Sequence, residues 1–127
     1  MKITSFNPMV LSARADDAIE LFEALGFERR HQKKDIDDRT AASVRLKDVN
    51  GFHMDIVQVD VLPRDMTAIK MNMDDFEEGF ELLTAHGFSI VQGGRITNTG
   101  SSKSVMMVSP SGFAINLVKH IRKEDKI

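Results

Sequence analysis

Gly51-Phe52-His53-Met54-Asp55-Ile56-Val57 and Gly112-Phe113-Ala114-Ile115-Asn116-Leu117-Val118 are one pattern written twice, 61 residues apart. In each stretch a turn residue and a glycine (Asn50-Gly51, Ser111-Gly112) lead into a phenylalanine, and apolar residues then occupy every second position. That is the period of a strand with one buried face, entered from a hairpin turn. The same offset continues outward without a gap. It pairs Glu20 with Glu81, Leu21 with Leu82, Gly26 with Gly87, Phe27 with Phe88, Ser43 with Ser104 and Val44 with Val105. A repeat that preserves element type at each pair fixes an architecture more firmly than local propensity does.

Each copy also carries a helix. Ala15, Ala18, Ile19, Phe22 and Leu25 fall at the i, i+3, i+4, i+7 spacing of one buried stripe, and Phe76, Phe80 and Leu83 repeat it. Asp74 followed by Glu77 resembles a capping box at the start of the second helix, and Gly26 and Gly87 stand where a left-handed residue ends each helix. Three strands are predicted after each helix, over 28–34, 41–47 and 52–59, then 89–92, 103–108 and 113–119. First strands over 3–11 and 67–73 precede the helices, and Leu62-Pro63-Arg64-Asp65 links the copies. Residues 93–102 have turn composition and are predicted to be the mobile tip of a long hairpin. The chain therefore reads as one α+β domain over 1–127, built of two tandem βαβββ modules, module one over 1–61 and module two over 62–127.

Composition sets limits on function. At 127 residues, 42% apolar and 28% charged, the chain is long enough and apolar enough for one self-sufficient core. A net charge of −2, with cations and anions interspersed, offers no stripe for phosphate backbones, so no nucleic-acid partner is expected. The absence of cysteine removes disulfides, thiolate metal sites and a thiol nucleophile. Met1 to Ser12 has one lysine and an apolar stretch broken by Asn7 and Pro8, unlike a signal peptide. The expected location is the cytoplasm, with no membrane partner.

Strand alternation assigns faces. Phe52, Met54 and Ile56, like Phe113, Ile115 and Leu117, should lie against the helix of their own copy, as should Ile69, Met71 and Met73. The opposite face then carries His53, Asp55 and Val57 in the first copy and Ala114, Asn116 and Val118 in the second. The first strands add Asn7, Met9 and Leu11, and Ala68, Lys70 and Asn72. Both copies thus put polar groups on the face turned away from the helices, where a small ligand can bind.

The blocks Ala18-Ile19-Glu20-Leu21-Phe22 to Leu25-Gly26-Phe27, Asp74-Asp75-Phe76 to His86-Gly87-Phe88, and Ser109-Pro110-Ser111-Gly112-Phe113-Ala114-Ile115-Asn116-Leu117 together resemble the glyoxalase/bleomycin-resistance/extradiol dioxygenase (vicinal oxygen chelate) superfamily, over nearly the whole chain. The resemblance implies a cupped mixed sheet with the helices on its outer face, and a homodimer. It also implies a divalent metal held from the first and fourth strands of each module. Those positions here are Asn7, Asp55, Ala68 and Asn116. Alanine has no donor atom and neutral amides are poor ligands for the metals that imidazole and carboxylate select, so no metal and no other cofactor is expected.

The candidate ligand-binding residues are Asn7, Met9, Arg45, His53, Asp55, Lys70, Asn72, Met106 and Asn116. Met9 and Met106 supply adaptable apolar surface. His53 and Asp55, two apart on one strand face, can act as general acid and base on one substrate, with Lys70 polarising an oxyanion. The plainer reading is favoured: His53 is a partly solvated residue beside a turn and Asp55 a carboxylate paired with a neighbouring cation, Lys70 or Arg45. His31, His86 and His120 read as surface residues. Three functions stay open: a metal-free small-molecule binding protein of the glyoxalase/bleomycin-resistance type, a lyase or isomerase acting by proton transfer in the same cavity, or a scaffold whose cavity is vestigial.

Overall fold

The computed structural model describes residues 1–33 and 42–120. In chain order these residues form β1 (Ile3–Ser12), α1 (Ala15–Ala24), β2 (Glu28–Lys33), β3 (Ala42–Lys47), β4 (His53–Gln58), β5 (Met66–Met73), α2 (Phe76–Ala85), β6 (Ser89–Ile90), β7 (Thr97–Asn98), β8 (Ser102–Val108) and β9 (Ala114–His120). The α+β class and the βαβββ order of each copy are as the repeat predicts. Lys34 and Ala41, placed on strands by the sequence pattern, and the charged tail after His120 lie outside the described residues.

The chain forms two compact units, one of residues 7–68 and one of residues 1–6 with 69–127. In the first, the strand order is β2-β3-β4-β1, with β1 parallel to β4 and the other pairs antiparallel. In the second, it is β5-β9-β8-β6, with β5 parallel to β9, β8 antiparallel to its neighbours, and β7 also on β8. The registers repeat with the sequence. Met9 faces Asp55 and Lys70 faces Asn116; Arg45 faces Asp55 and Met106 faces Asn116. Because a one-residue slip would invert every side chain, this agreement fixes the faces in both units.

In each unit the strands bury their apolar face under that unit's own helix. In residues 7–68, Val44, Leu46, Met54 and Ile56 pack with Ala15 and Ile19, and Val10, Ala18, Phe22 and Phe27 border them. In the other unit, Met73, Val105, Met107 and Leu117 pack with Phe76, bordered by Met71, Phe80, Leu83, Phe88 and Ile90. Leu46, Ile56, Met107 and Leu117 are almost completely buried, and each such side chain contributes about 1.5–3 kcal/mol. Gly26 and Gly87 end the helices at φ 109° and 90°, the left-handed conformation predicted for them.

Four details differ from the sequence reading. Leu25 is 65% exposed, because α1 ends at Ala24 and Leu25 caps it instead of extending the stripe. Phe52, 67% exposed, lies in the turn before β4 and misses the core, while Phe113 keeps an edge-on contact with Phe88. Asp75, not Asp74, caps α2 by accepting from the Glu78 N–H at 3.0 Å; the Asp74 carboxylate accepts from the Lys2 N–H at 2.7 Å. The 93–102 stretch contains β7, with Thr97 opposite Ser104 and Asn98 opposite Lys103.

Candidate ligand-binding face

The parallel pairing of β1 with β4 sets Met9 beside Asp55, and alternation puts Asn7 on the same face of β1. Asp55 is 4% exposed and Asn7 5%, so both polar groups need partners. They find each other: Asn7 Nδ2 donates to Asp55 Oδ2 at 2.8 Å, and also to the Pro8 carbonyl at 2.9 Å. Arg45, directly across from Asp55 in the β3–β4 register, donates from Nη2 to Asn7 Oδ1 at 3.0 Å, and its Nε stands 3.6 Å from Asp55 Oδ1. The donors and acceptors of the Asn7 amide are thereby assigned on both sides. Arg45 Nε is buried yet makes no hydrogen bond.

His53 follows on the same face, half-buried and opposite Lys47. Its pKa lies below the ordinary 6.5, first because burial disfavours the imidazolium, then because Arg45 and Lys47 repel it; Asp55 opposes the shift and Arg30 adds slightly to it. The imidazole is therefore held neutral near pH 7. Asn7, Met9, Arg45, His53 and Asp55, all singled out from the sequence, share one face of one unit. Lys47 was missed, although stepping two residues along β3 from Arg45 reaches it.

In the other unit, Lys70 is half-buried on β5 opposite Asn116 of β9, which in turn faces Met106 of β8. Asn116 Nδ2 donates to the Val105 carbonyl at 3.3 Å. Asn72, two residues beyond Lys70, is 6% exposed; its Nδ2 donates to Ser5 Oγ at 2.8 Å, its backbone carbonyl accepts from Thr4 Oγ1 at 3.2 Å, and its buried Oδ1 has no hydrogen-bond partner among the described residues. His86 and His120 are exposed, as expected, while the side chain of His31 lies outside the described residues.

The four positions at which the resemblance implies metal ligands do not fit a divalent cation. Asn7 turns its NH2 towards Asp55, a guanidinium stands beside that carboxylate, Ala68 is a buried methyl group, and the Asn116 amide is engaged with backbone. A metal at Asp55 would have to displace a cation already there. Among the described residues, no three His, Cys, Asp or Glu side chains come together in a metal-binding group.

Two units of this topology and register define the glyoxalase fold, and solved structures match it. A glyoxalase I mutant from Zea mays superimposes with a TM-score of 0.69 at 13% identity over 93% of this chain, which spans only 44% of the maize chain. Methylmalonyl-CoA epimerase from Mycobacterium tuberculosis gives 0.67 at 16% identity, covering 98% of this chain and 93% of the other. A glyoxalase/bleomycin resistance protein/dioxygenase superfamily member from Vibrio splendidus gives 0.59 at 14% identity, with 91% and 97% covered. No protein-family model and no curated protein matches the sequence. The fold implied by the repeat is thus established.

Proposed function

We propose that the chain is a metal-free small-molecule binding protein of the glyoxalase/bleomycin-resistance type, working as a homodimer in the cytoplasm. Its ligand binds the polar face that carries Asn7, Met9, Arg45, His53 and Asp55. The equivalent face with Lys70, Asn72, Met106 and Asn116 is assigned the same role. The observation that carries this reading is the closed Asn7–Asp55–Arg45 network, in which a guanidinium stands beside Asp55, the one carboxylate among the four expected ligand positions. No helix among the described residues is long and apolar enough to cross a membrane.

A compound screen read by thermal shift tests it, run with and without EDTA. A ligand at a hundred times its dissociation constant stabilises by about 2.7 kcal/mol. Stabilisation that is equal in both arms and lost in Arg45→Met supports the reading; a response that requires added metal contradicts it.

A second reading, a lyase or isomerase acting by proton transfer, is favoured by one feature: a neutral imidazole two residues from a buried carboxylate on one strand face. Here His53 or Asp55 removes a proton from an acidic C–H of the ligand. Exchange of a bound ligand's C–H for deuterium in heavy water, abolished in His53→Gln or in Asp55→Asn, distinguishes this from binding alone.

A further inference from the structure

We infer that Lys47, together with Arg45 and His53, forms a receptor for an oxyanion group, a carboxylate or a phosphate, so that the molecules bound on this face are anionic. This rests on the reading that the face binds a small molecule, and it names the class of that molecule. The argument begins with the count of partners. Asp55 is engaged by Asn7 and lies 3.6 Å from Arg45. Glu28, which faces Lys47 across β2 and β3, has its carboxylate 3.6 Å from Arg30. The Lys47 side chain makes no hydrogen bond or ion pair with any described residue, and Arg45 Nε is a buried donor that hydrogen-bonds to no described residue.

The register brings these donors together. Lys47 and Arg45 alternate on one face of β3, and their partners across the β3–β4 pair are His53 and Asp55. Lys47 and His53 are half-buried and the Arg45 side chain is 29% exposed, so an incoming group can reach all three side chains, Arg45 through its exposed part and not through the buried Nε. Among the described residues the cationic donors on this face therefore exceed the acceptors, and an anionic group of the ligand supplies the missing acceptor. Met9, 7% exposed beside Asp55, supplies apolar surface for the rest of the molecule.

Ligand charge is then coupled to His53. The charged groups acting on the imidazole are Lys47 and Arg45 from β3, Arg30 from β2 and Asp55 from its own strand. An anion placed among these cations offsets the repulsion by Arg45 and Lys47 that adds to the effect of burial on His53, so binding draws a proton onto it. By linkage, affinity rises as the pH falls towards the titration range of His53.

The test is an NMR titration of isotopically labelled full-length protein at low salt with two probes, inorganic phosphate and malonate. The expected result is a saturable shift of the Lys47, Arg45 and His53 side-chain signals with at least one probe and an upward move of the His53 titration midpoint. Lys47→Met should weaken binding roughly tenfold or more while leaving the urea midpoint unchanged. Saturation by phosphate alone assigns a phosphate-bearing ligand, and by malonate alone a carboxylate. Non-saturating shifts spread over surface lysines, or saturable binding that Lys47→Met leaves intact, overturn the inference. If uncharged compounds saturate this face and neither anion does, the anion receptor falls while the binding reading stands. If no compound of either kind perturbs the face, both fall.

Discussion

Replacing Asn7 with alanine removes the group that bridges Asp55 and Arg45, and the structure sets the size of the effect. Three hydrogen bonds disappear: Nδ2 to Asp55 at 2.8 Å, Nη2 of Arg45 to Oδ1 at 3.0 Å, and Nδ2 to the Pro8 carbonyl. Two involve an ionised partner, each worth about 1.5–3 kcal/mol in a buried setting. They are not additive, and Arg45, 29% exposed on its side chain, recovers part of its share from water. A loss of roughly 2–4 kcal/mol is expected, because Asp55 at 4% exposure cannot turn to solvent. In a domain of this size that is on the order of 10 °C in melting temperature. Urea denaturation, with unchanged slope and lowered midpoint, is the assay. Asn7→Ala and Arg45→Met should also couple in a double-mutant cycle. A loss below about 0.5 kcal/mol in Asn7→Ala, the range of an ordinary surface substitution, refutes the network.

Gly79 in α2 lies so close to the sheet that a Cβ would stand 2.6 Å from Met73 Sδ and 3.2 Å from Leu117 Cδ1. Gly79→Ala gains about 1 kcal/mol of helix propensity and incurs roughly 1–3 kcal/mol of overpacking, so its urea midpoint should fall, and the loss caused by Gly79→Ala should shrink when it is measured against a Met73→Ala parent; a raised midpoint in the single variant contradicts this packing. His53 has a lowered pKa in the folded state, so its contribution to stability is full above 6.5 and is lost as the pH falls through the folded-state value. Thermal melts across this range should show a slope that His53→Gln flattens, and equal slopes in both proteins would remove the shift. Sedimentation velocity at tens of micromolar, roughly the range that reveals weak dimers, is expected to show a homodimer, since Phe6, Leu25 and Phe52 are all more than half exposed. A clean monomer counts against it.

The fold was legible because the sequence repeats at one offset and strand periodicity is strict where one face is buried. Met54 and Ile56, like Ile115 and Leu117, announce the helix-facing side without ambiguity, and the observed registers follow. Ends were less legible. Leu25 and Phe52 satisfy the apolar pattern but lie one residue outside the elements, where no partner layer covers them. Asp74 and Asp75 are chemically equivalent as caps, and a backbone N–H 72 residues away decides between them. At the site, sequence spacing placed His53 and Asp55 on one face, and Arg45 stood among the candidate cations. Arg45 emerges as a partner of Asp55 within its own unit only through the β3–β4 register, which also brings in Lys47. β7 was invisible because two residues, Thr97 and Asn98, are too few to show a strand period against the turn-forming Gly93-Gly94 and Gly100-Ser101 around them, and they are held in the strand by β8.

The central claim, that the Asn7–Asp55–Arg45 face serves its ligand without a metal, is tested most directly by elemental analysis of protein purified without chelators and dialysed, with Asp55→Ala in parallel. The account predicts zinc, iron, nickel and manganese far below one equivalent in both proteins. One equivalent of any of them that survives dialysis in the parent protein and disappears in Asp55→Ala would contradict it.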